Sequence, residues 1–268
     1  MDERQRTAGV FDRAAATYDR VGVELFGPVA ELLVGELRLR PGERVLDLGC
    51  GRGAVLLRAA RLTGRADGLD LSPGMAAAAR QAARDEGLDV DVRVGDATEP
   101  GRPPGSYDVV TASLVLFFLP DPAAALQAWR RLLAPGGRIG VTTFGELDAD
   151  FRAVDALLMA HAPARLRDAR TAGRSGPFTS DHGMVRLLQD AGFTGVRTVS
   201  QVVPVRFDDA DHWHRWSWSV GLRAAWENVP EGERPALRAQ AGELLQSCRR
   251  SDGRLGYDQV VRCTLAGT

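Results

Sequence analysis

The sequence predicts a doubly wound α/β domain: a seven-stranded, mostly parallel sheet with helices on both faces and a helical cap. Three observations predict it. Between residues 42 and 143, short apolar runs alternate with longer segments of helical periodicity. Each strand–helix–strand unit takes up about 30 residues, the length that a right-handed crossover between parallel strands demands. A glycine-rich turn, Gly49-Cys50-Gly51-Arg52-Gly53, joins one apolar run directly to the helical pattern after it.

The first five strands are expected at Arg44–Leu48, Ala66–Leu69, Val90–Val94, Tyr107–Thr111 and Arg138–Thr143. Helices at Ala54–Leu62, Pro73–Glu86 and Pro122–Leu133 fall between them, and Gly64, Gly87 and Ala134-Pro135-Gly136-Gly137 stop them. Ahead of this core, Val23–Leu39 reads as an amphipathic helix covering the sheet, and Thr7–Arg20 as a mobile lid. After it, Leu147–Arg170 reads as helix and Ser180–Ala191 as a helix with Ser180 as N-cap and Gly192 just past its end. Val196–Phe207 alternates as a strand, with Pro204 pointing to a sheet edge or a bulge. Asp209–Gln246 reads as helical and holds four of the five tryptophans, and Tyr257–Leu265 is the last strand. The resulting division is a helical lid at 1–40, a binding core at 41–146, a helical insertion and the helix before strand 6 at 147–195, and strands 6 and 7 at 196–268 with a cap insertion at 208–250. Insertions at loop positions shape pockets.

Composition narrows the function. The chain has 268 residues, with 34 basic against 35 acidic side chains and a net charge of −1. That balance argues against a nucleic-acid partner gripped through bulk positive charge. All the basic residues are arginine, so lysine Schiff-base chemistry is excluded. No apolar run approaches the length of a membrane span, and the start, MDERQRTAGVFDR, has no apolar stretch resembling a secretory signal, so a cytoplasmic protein without membrane partners is expected. The cysteines at 50, 248 and 263 have no metal-ligand spacing, and no metal is expected.

The glycine turn fits two kinds of ligand. Close glycines let a ligand approach the backbone, and a helix N-terminus presents free N–H groups. Gly49, Gly51 and Ala54 also satisfy a dinucleotide-binding pattern. Asp47, at the strand's end, favours a cationic amino-acid moiety over a pyrophosphate, or serves to orient the loop. Asp70 ends the second strand, placed to accept hydrogen bonds from ribose hydroxyls. Asp96, after the third strand, can accept from an adenine amine.

With VLDLGCGRG (45–53), GLDLSPGM (68–75), GDA (95–97), YDVVTASLVLFFLPD (107–121) and LLAPGGRIGVTTF (132–144) in this order, the sequence resembles the class I S-adenosylmethionine-dependent methyltransferases of the small-molecule type found in ubiquinone and natural-product pathways. Such enzymes have a Rossmann-like fold. The resemblance implies that Asp47 and the loop Gly49-Cys50-Gly51 bind the methionine part of S-adenosylmethionine and that Asp70 takes the ribose. Leu71 and Met75 would flank the adenine, Asp96 and Ala97 read its edge, and Ser113 lie beside the sulfonium. Phe11-Asp12 with Tyr18-Asp19 resembles the family's N-terminal lid, whose tyrosine closes over the cofactor. The product would be S-adenosylhomocysteine.

The expected reaction is methyl transfer to a small organic acceptor, most simply a hydroxyl oxygen. The alternative is a cyclisation or rearrangement in the same cofactor site. Phe117-Phe118 stands where relatives often carry His-His, which suggests an apolar pocket wall. His182 and His214 are the base candidates, ahead of His161, His212 and Glu146. The tryptophans read either as helix packing or as an aromatic wall for a flat or long apolar substrate. Thr111-Ala112-Ser113-Leu114 lacks the pattern used to grip a nucleobase amine, so the expected partner is a small molecule and not a nucleic acid, with the chain a monomer or homodimer.

Overall fold

The apolar runs pair into one sheet in the computed structural model, which describes residues 3–164, 167 and 176–268. Helix α1 (Glu3–Ala14) and α2 (Phe26–Leu37) precede β1 (Val45–Leu48), α3 (Ala54–Thr63), β2 (Ala66–Asp70), α4 (Pro73–Asp85) and β3 (Val90–Val94). Then come β4 (Tyr107–Ser113), a 3-10 turn at Leu116–Phe118, α5 (Pro122–Leu132), β5 (Leu133–Phe144) and α6 (Arg152–Met159). The chain continues with α7 (Asp181–Asp190), β6 (Thr194–Phe207), α8 (Ala210–Ser219), α9 (Arg223–Asn228), α10 (Arg234–Leu245) and β7 (Leu255–Gly267).

The sheet order is β3-β2-β1-β4-β5-β7-β6. Strands β1 to β5 pair in parallel, and β7 runs antiparallel to both β5 and β6. Strand β1 is buried along its whole length, as a central strand covered on both faces must be. Strand β6 is the edge, which accommodates Pro204 without costing a ladder hydrogen bond inside the sheet. Helices α2 and α3 pack with Val45, Val109 and Cys263 on one face, and α5 and α7 pack with Leu46, Ile139 and Val141 on the other. A third apolar cluster joins α6, α8, α9 and α10 to the ends of β6 and β7 as the cap.

Local chemistry sets the helix starts. Ser72, Asp121 and Ser180 each accept a backbone N–H two or three residues into the helix that follows, and Pro73 and Pro122 occupy first-turn positions where no donor is needed. Two expected helices are shorter than their patterns. Of Leu147–Arg170, Arg152–Met159 forms an α-helix after a 3-10 turn at Ala149–Phe151, the chain leaves it at His161–Pro163, and Ala164 and Arg167 are helical again; residues 165, 166 and 168–170 lie outside the described residues. Asp209–Gln246 is three helices, because the chain turns at Val220-Gly221 and again at Val229-Pro230. The expected lid contains a regular helix, α1, followed by a turn through Asp19, which adopts a left-handed φ of 56°.

Candidate active site

The order of the sheet reverses between β1 and β4, and open α/β sheets leave a ligand crevice at such a point, outside the C-terminal ends of the strands. A cavity of about 960 Å³, measured out to its mouth, lies there. Gly49 and Gly51 form its floor, Asp70, Leu71 and Met75 one wall, Asp96 and Ala97 another, and Phe11 and Tyr18 its roof.

The floor is fixed by backbone geometry. Gly49 has φ +67°, and a Cβ there would sit 2.5 Å from the Val115 side chain, so only glycine fits. The N–H groups of Gly49 and Cys50 donate to the Leu69 carbonyl at 2.7 and 3.0 Å, binding the loop to the end of β2. Asp70 is held from two sides: its Oδ2 accepts the Gly51 N–H at 2.7 Å and its Oδ1 the Ser72 N–H at 2.8 Å. Each oxygen keeps acceptor capacity for a ligand hydroxyl. Burial pushes the Asp70 pKa above the usual carboxylate value against those two hydrogen bonds.

The adenine-side wall is equally constrained. Asp96 Oδ1 accepts both the N–H and the hydroxyl of Thr98 at 2.8 Å, closing a turn on itself. The fully buried Trp129 of α5 donates its indole N–H to the Ala97 carbonyl at 2.6 Å. Ser113, at the end of β4, shares a 2.9 Å hydrogen bond with the Thr142 hydroxyl. The next residue, Leu114, adopts φ +57°, a conformation costly for a branched side chain, and its N–H donates to the Thr142 carbonyl at 3.0 Å.

The roof is latched. Asp12 Oδ1 accepts the Ser72 hydroxyl at 3.0 Å and the Gly74 N–H at 2.6 Å, so α1 docks on the first turn of α4. The Arg52 guanidinium donates to the Ala15 carbonyl, and Arg13 donates to Glu227 of α9 at 2.8 Å. Tyr18 stacks on Phe26 with centroids 4.6 Å apart, and burial raises its phenol pKa, with Asp19 and Asp70 adding to the effect. Its hydroxyl is therefore a donor and not a base.

Nine of the expected cofactor residues line the cavity: Tyr18, Gly49, Gly51, Asp70, Leu71, Met75, Asp96, Ala97 and Ser113. Asp47 and Cys50 do not. Asp47 is 1% exposed beneath the loop, where it accepts the Thr111 hydroxyl at 2.7 Å and burial pushes its pKa up to about 7. The Cys50 side chain turns under the loop toward Gly68. The two histidines expected as bases lie outside this cavity as well. His182 lies in the first turn of α7 and is exposed to solvent. His214 sits on the outer face of α8, where its Nε2 accepts the Trp218 indole N–H at 3.1 Å, in a separate groove with Arg238. Periodicity gave both histidines a helix but not the direction in which that helix presents them. Sequence reasoning also missed Ser72 and the Trp129 contact; the Ser-Pro step after Asp70 was the available sign of the first.

The charge of the lining separates the candidate cofactors. Two carboxylates, Asp70 and Asp96, face the cavity, and among the described residues no arginine lines it. A pyrophosphate would be repelled, whereas a ligand with a ribose diol, an ammonium group and a sulfonium fits the donor and acceptor set. A family model described as a methyltransferase domain matches residues 46–141. The nocamycin O-methyltransferase of Saccharothrix syringae is 39% identical over 86% of this chain and 88% of its own length. The chain belongs to this methyltransferase family. The aklanonic acid methyltransferase DauC of Streptomyces sp. strain C5 is 36% identical over 72% of this chain and 94% of its own. Among solved structures, the YcgJ protein of Bacillus subtilis superposes with a TM-score of 0.61 at 15% identity, covering 90% of this chain and 98% of that one, and so shares the fold. This methyltransferase is of class I, and its methyl donor is S-adenosylmethionine. The rearrangement alternative is not favoured, since both sequence relatives are named as methyltransferases.

Proposed function

We propose that this methyltransferase moves the donor methyl group onto a hydroxyl oxygen of a small natural product or related metabolite, with Asp70 holding the donor's ribose, Asp96 and Ala97 reading its adenine, and the Gly49–Gly51 loop taking its amino-acid end. The observation that carries this reading is the doubly anchored Asp70 carboxylate in a cavity at the sheet's reversal point. The names of the two relatives, an O-methyltransferase and an acid methyltransferase, support an oxygen acceptor.

The bound donor supplies an electrophilic methyl carbon already activated by its positive sulfur. With the donor held by Asp70, Asp96, Ala97 and the Gly49–Gly51 loop, an acceptor oxygen would form the new O–C bond with a lone pair, the S–C bonding pair would stay on sulfur, and the hydroxyl proton would leave to the bulk solvent with the product. Protein residues then contribute alignment and exclusion of water rather than a further activation step. Neither cavity by the glycine loop is lined by a histidine among the described residues, which supports a transfer driven by placement. Ser113 and the left-handed Leu114 close the strand end beside the reacting atoms, and both line the cavity.

Among the described residues no helix is long and apolar enough to cross a membrane. A cytoplasmic monomer or homodimer that acts on small molecules and not on nucleic acid completes the proposal. Its test is transfer of isotope from methyl-labelled donor to ring-bearing hydroxyl acceptors. Asp70→Ala is expected to abolish both the transfer and calorimetric binding of S-adenosylhomocysteine while leaving circular dichroism unchanged. Retained cofactor binding in that variant would overturn the assignment.

A further inference from the structure

A second chamber, about 520 Å³ when measured out through its open mouth, lies beside the cofactor cavity and shares with it Phe11, Tyr18, Phe26, Leu114 and Phe118. Eight of its thirteen lining residues carry aromatic rings. These rings arrive from the lid, from α2, from the turn after β4, from the end of β5, from α8 and from β7, so separate stretches of chain converge on one space. A packed aromatic core closes on itself and leaves voids hardly larger than a water molecule. Here the space stays open.

We propose that this chamber holds the methyl acceptor and that the acceptor is a flat fused-ring molecule, inserted with its hydroxyl at the end that passes Leu114 into the cofactor cavity. The proposal deepens the methyl-transfer reading and rests on it. Ring geometry is the reason for the shape. Tyr18 and Phe26 lie within 27° of parallel at 4.6 Å, and Phe117 and Phe144 within 29° at 5.5 Å, so stacked pairs form parts of the wall. Phe11 meets Phe118 edge-on at 5.4 Å and 89°, and Trp216 meets Tyr257 edge-on at 6.3 Å and 61°. A flat ring system satisfies offset-stacked and edge-to-face contact with such walls, whereas a puckered saturated skeleton touches them at a few atoms. The slot is also fixed in advance: Tyr257 stacks on Phe151 at 4.1 Å and the Trp216 ring leans on Phe207 at 5.2 Å. Among the lining side chains only Tyr18, Tyr257 and Trp216 carry polar atoms, two hydroxyls and one indole N–H, so a charged or heavily hydroxylated body would shed most of its water without replacement. The acceptor hydroxyl escapes that cost by lying at Leu114, which lines both cavities.

Gly221 gives the test a precise handle. A Cβ there meets Phe11 at 3.6 Å and Phe118 at 3.8 Å, ordinary contact, so a larger side chain enters the chamber without straining the backbone. The probe is 1-hydroxypyrene, followed by its fluorescence anisotropy on protein saturated with S-adenosylhomocysteine, with 1-adamantanol, a compact saturated cage with the same hydroxyl, as competitor. The expected result is micromolar binding of hydroxypyrene, weakened roughly tenfold or more by Gly221→Leu, with adamantanol competing poorly and the affinity for S-adenosylhomocysteine unchanged. Phe144→Ala, in a residue that lines this chamber and not the cofactor cavity, is expected to weaken the probe in the same selective way. Hydroxypyrene binding that ignores both substitutions, fails altogether on the loaded protein, or is matched by adamantanol overturns the proposal while leaving the methyltransferase reading intact. Failure of S-adenosylhomocysteine itself to bind overturns that reading, and this proposal with it.

Discussion

Asp47 is a carboxyl group that folding handles at a loss. Burial lifts its pKa from the ordinary 3.8 to about 7, opposed by the Thr111 hydroxyl. Between those two values the folded chain holds a proton that the unfolded chain has released. Stability therefore falls as pH rises through that window and levels off above about 7, by roughly 4 kcal/mol at most. Asn in its place still accepts the Thr111 hydroxyl and carries no such penalty. The melting-temperature advantage of Asp47→Asn over the native chain is expected to grow from pH 4 to 7 and stay constant beyond, read by calorimetry. An advantage independent of pH would show that Asp47 is not buried as a proton-holding acid. The residue was legible in the sequence because it ends a strand ahead of the glycine turn; that it lies under the turn was not, since its burial depends on Thr111 from a strand 64 residues away.

Helices α1 and α4 are joined by Asp12 over the cofactor cavity. Ser72 keeps its own capping bond to the Met75 N–H at 3.1 Å, so α4 stays capped when Asp12 is lost. Asp12→Ala removes two hydrogen bonds worth about 1 kcal/mol together in a partly exposed setting, and roughly five- to tenfold faster release of S-adenosylhomocysteine is expected in stopped-flow measurements. KM for the donor should rise with kcat unchanged or higher, and Asn, which retains the accepting oxygen, should restore most of the effect. Native release rates in the alanine variant would mean that α1 is held by its other contacts. Local chemistry made the core elements readable: the Gly64 and Gly87 stops, the Ser180 cap and the Pro-led helices stand where their residues demand, whereas Ala134-Pro135-Gly136-Gly137, expected as a stop, lies inside β5, which starts at Leu133 and not at Arg138. The cap was less so. Asp209–Gln246 has continuous helical periodicity, and its breaks at Gly221 and Pro230 take their meaning from the chain turning back over the lid and β7. Asp12 likewise shows its role only when two helices meet, and a Cβ at Gly74 would stand 2.8 Å from its carboxylate.

Across the whole molecule, the lid segment that roofs the cofactor cavity joins the cap to the core. The lid segment reaches the glycine loop through Arg52 and Ala15, and the cap through Arg13 and Glu227. A further tie runs from the lid turn to α8, where the His212 Nε2–H donates to the Val21 carbonyl at 2.6 Å. A ligand gripped between these parts stabilises all of them at once. At a concentration of S-adenosylhomocysteine about 100 times its dissociation constant, linkage adds about 2.7 kcal/mol, which in a chain of this length raises the melting temperature by about 5–10 °C. If lid, sheet and cap unfold as one body, the calorimetric transition is single and shifts as a whole, and Asp70→Ala removes the shift. Two transitions with only one moved by the ligand would show instead that the cap is held independently of the cofactor site, and that the ion pair between Arg13 and Glu227 does not couple the two.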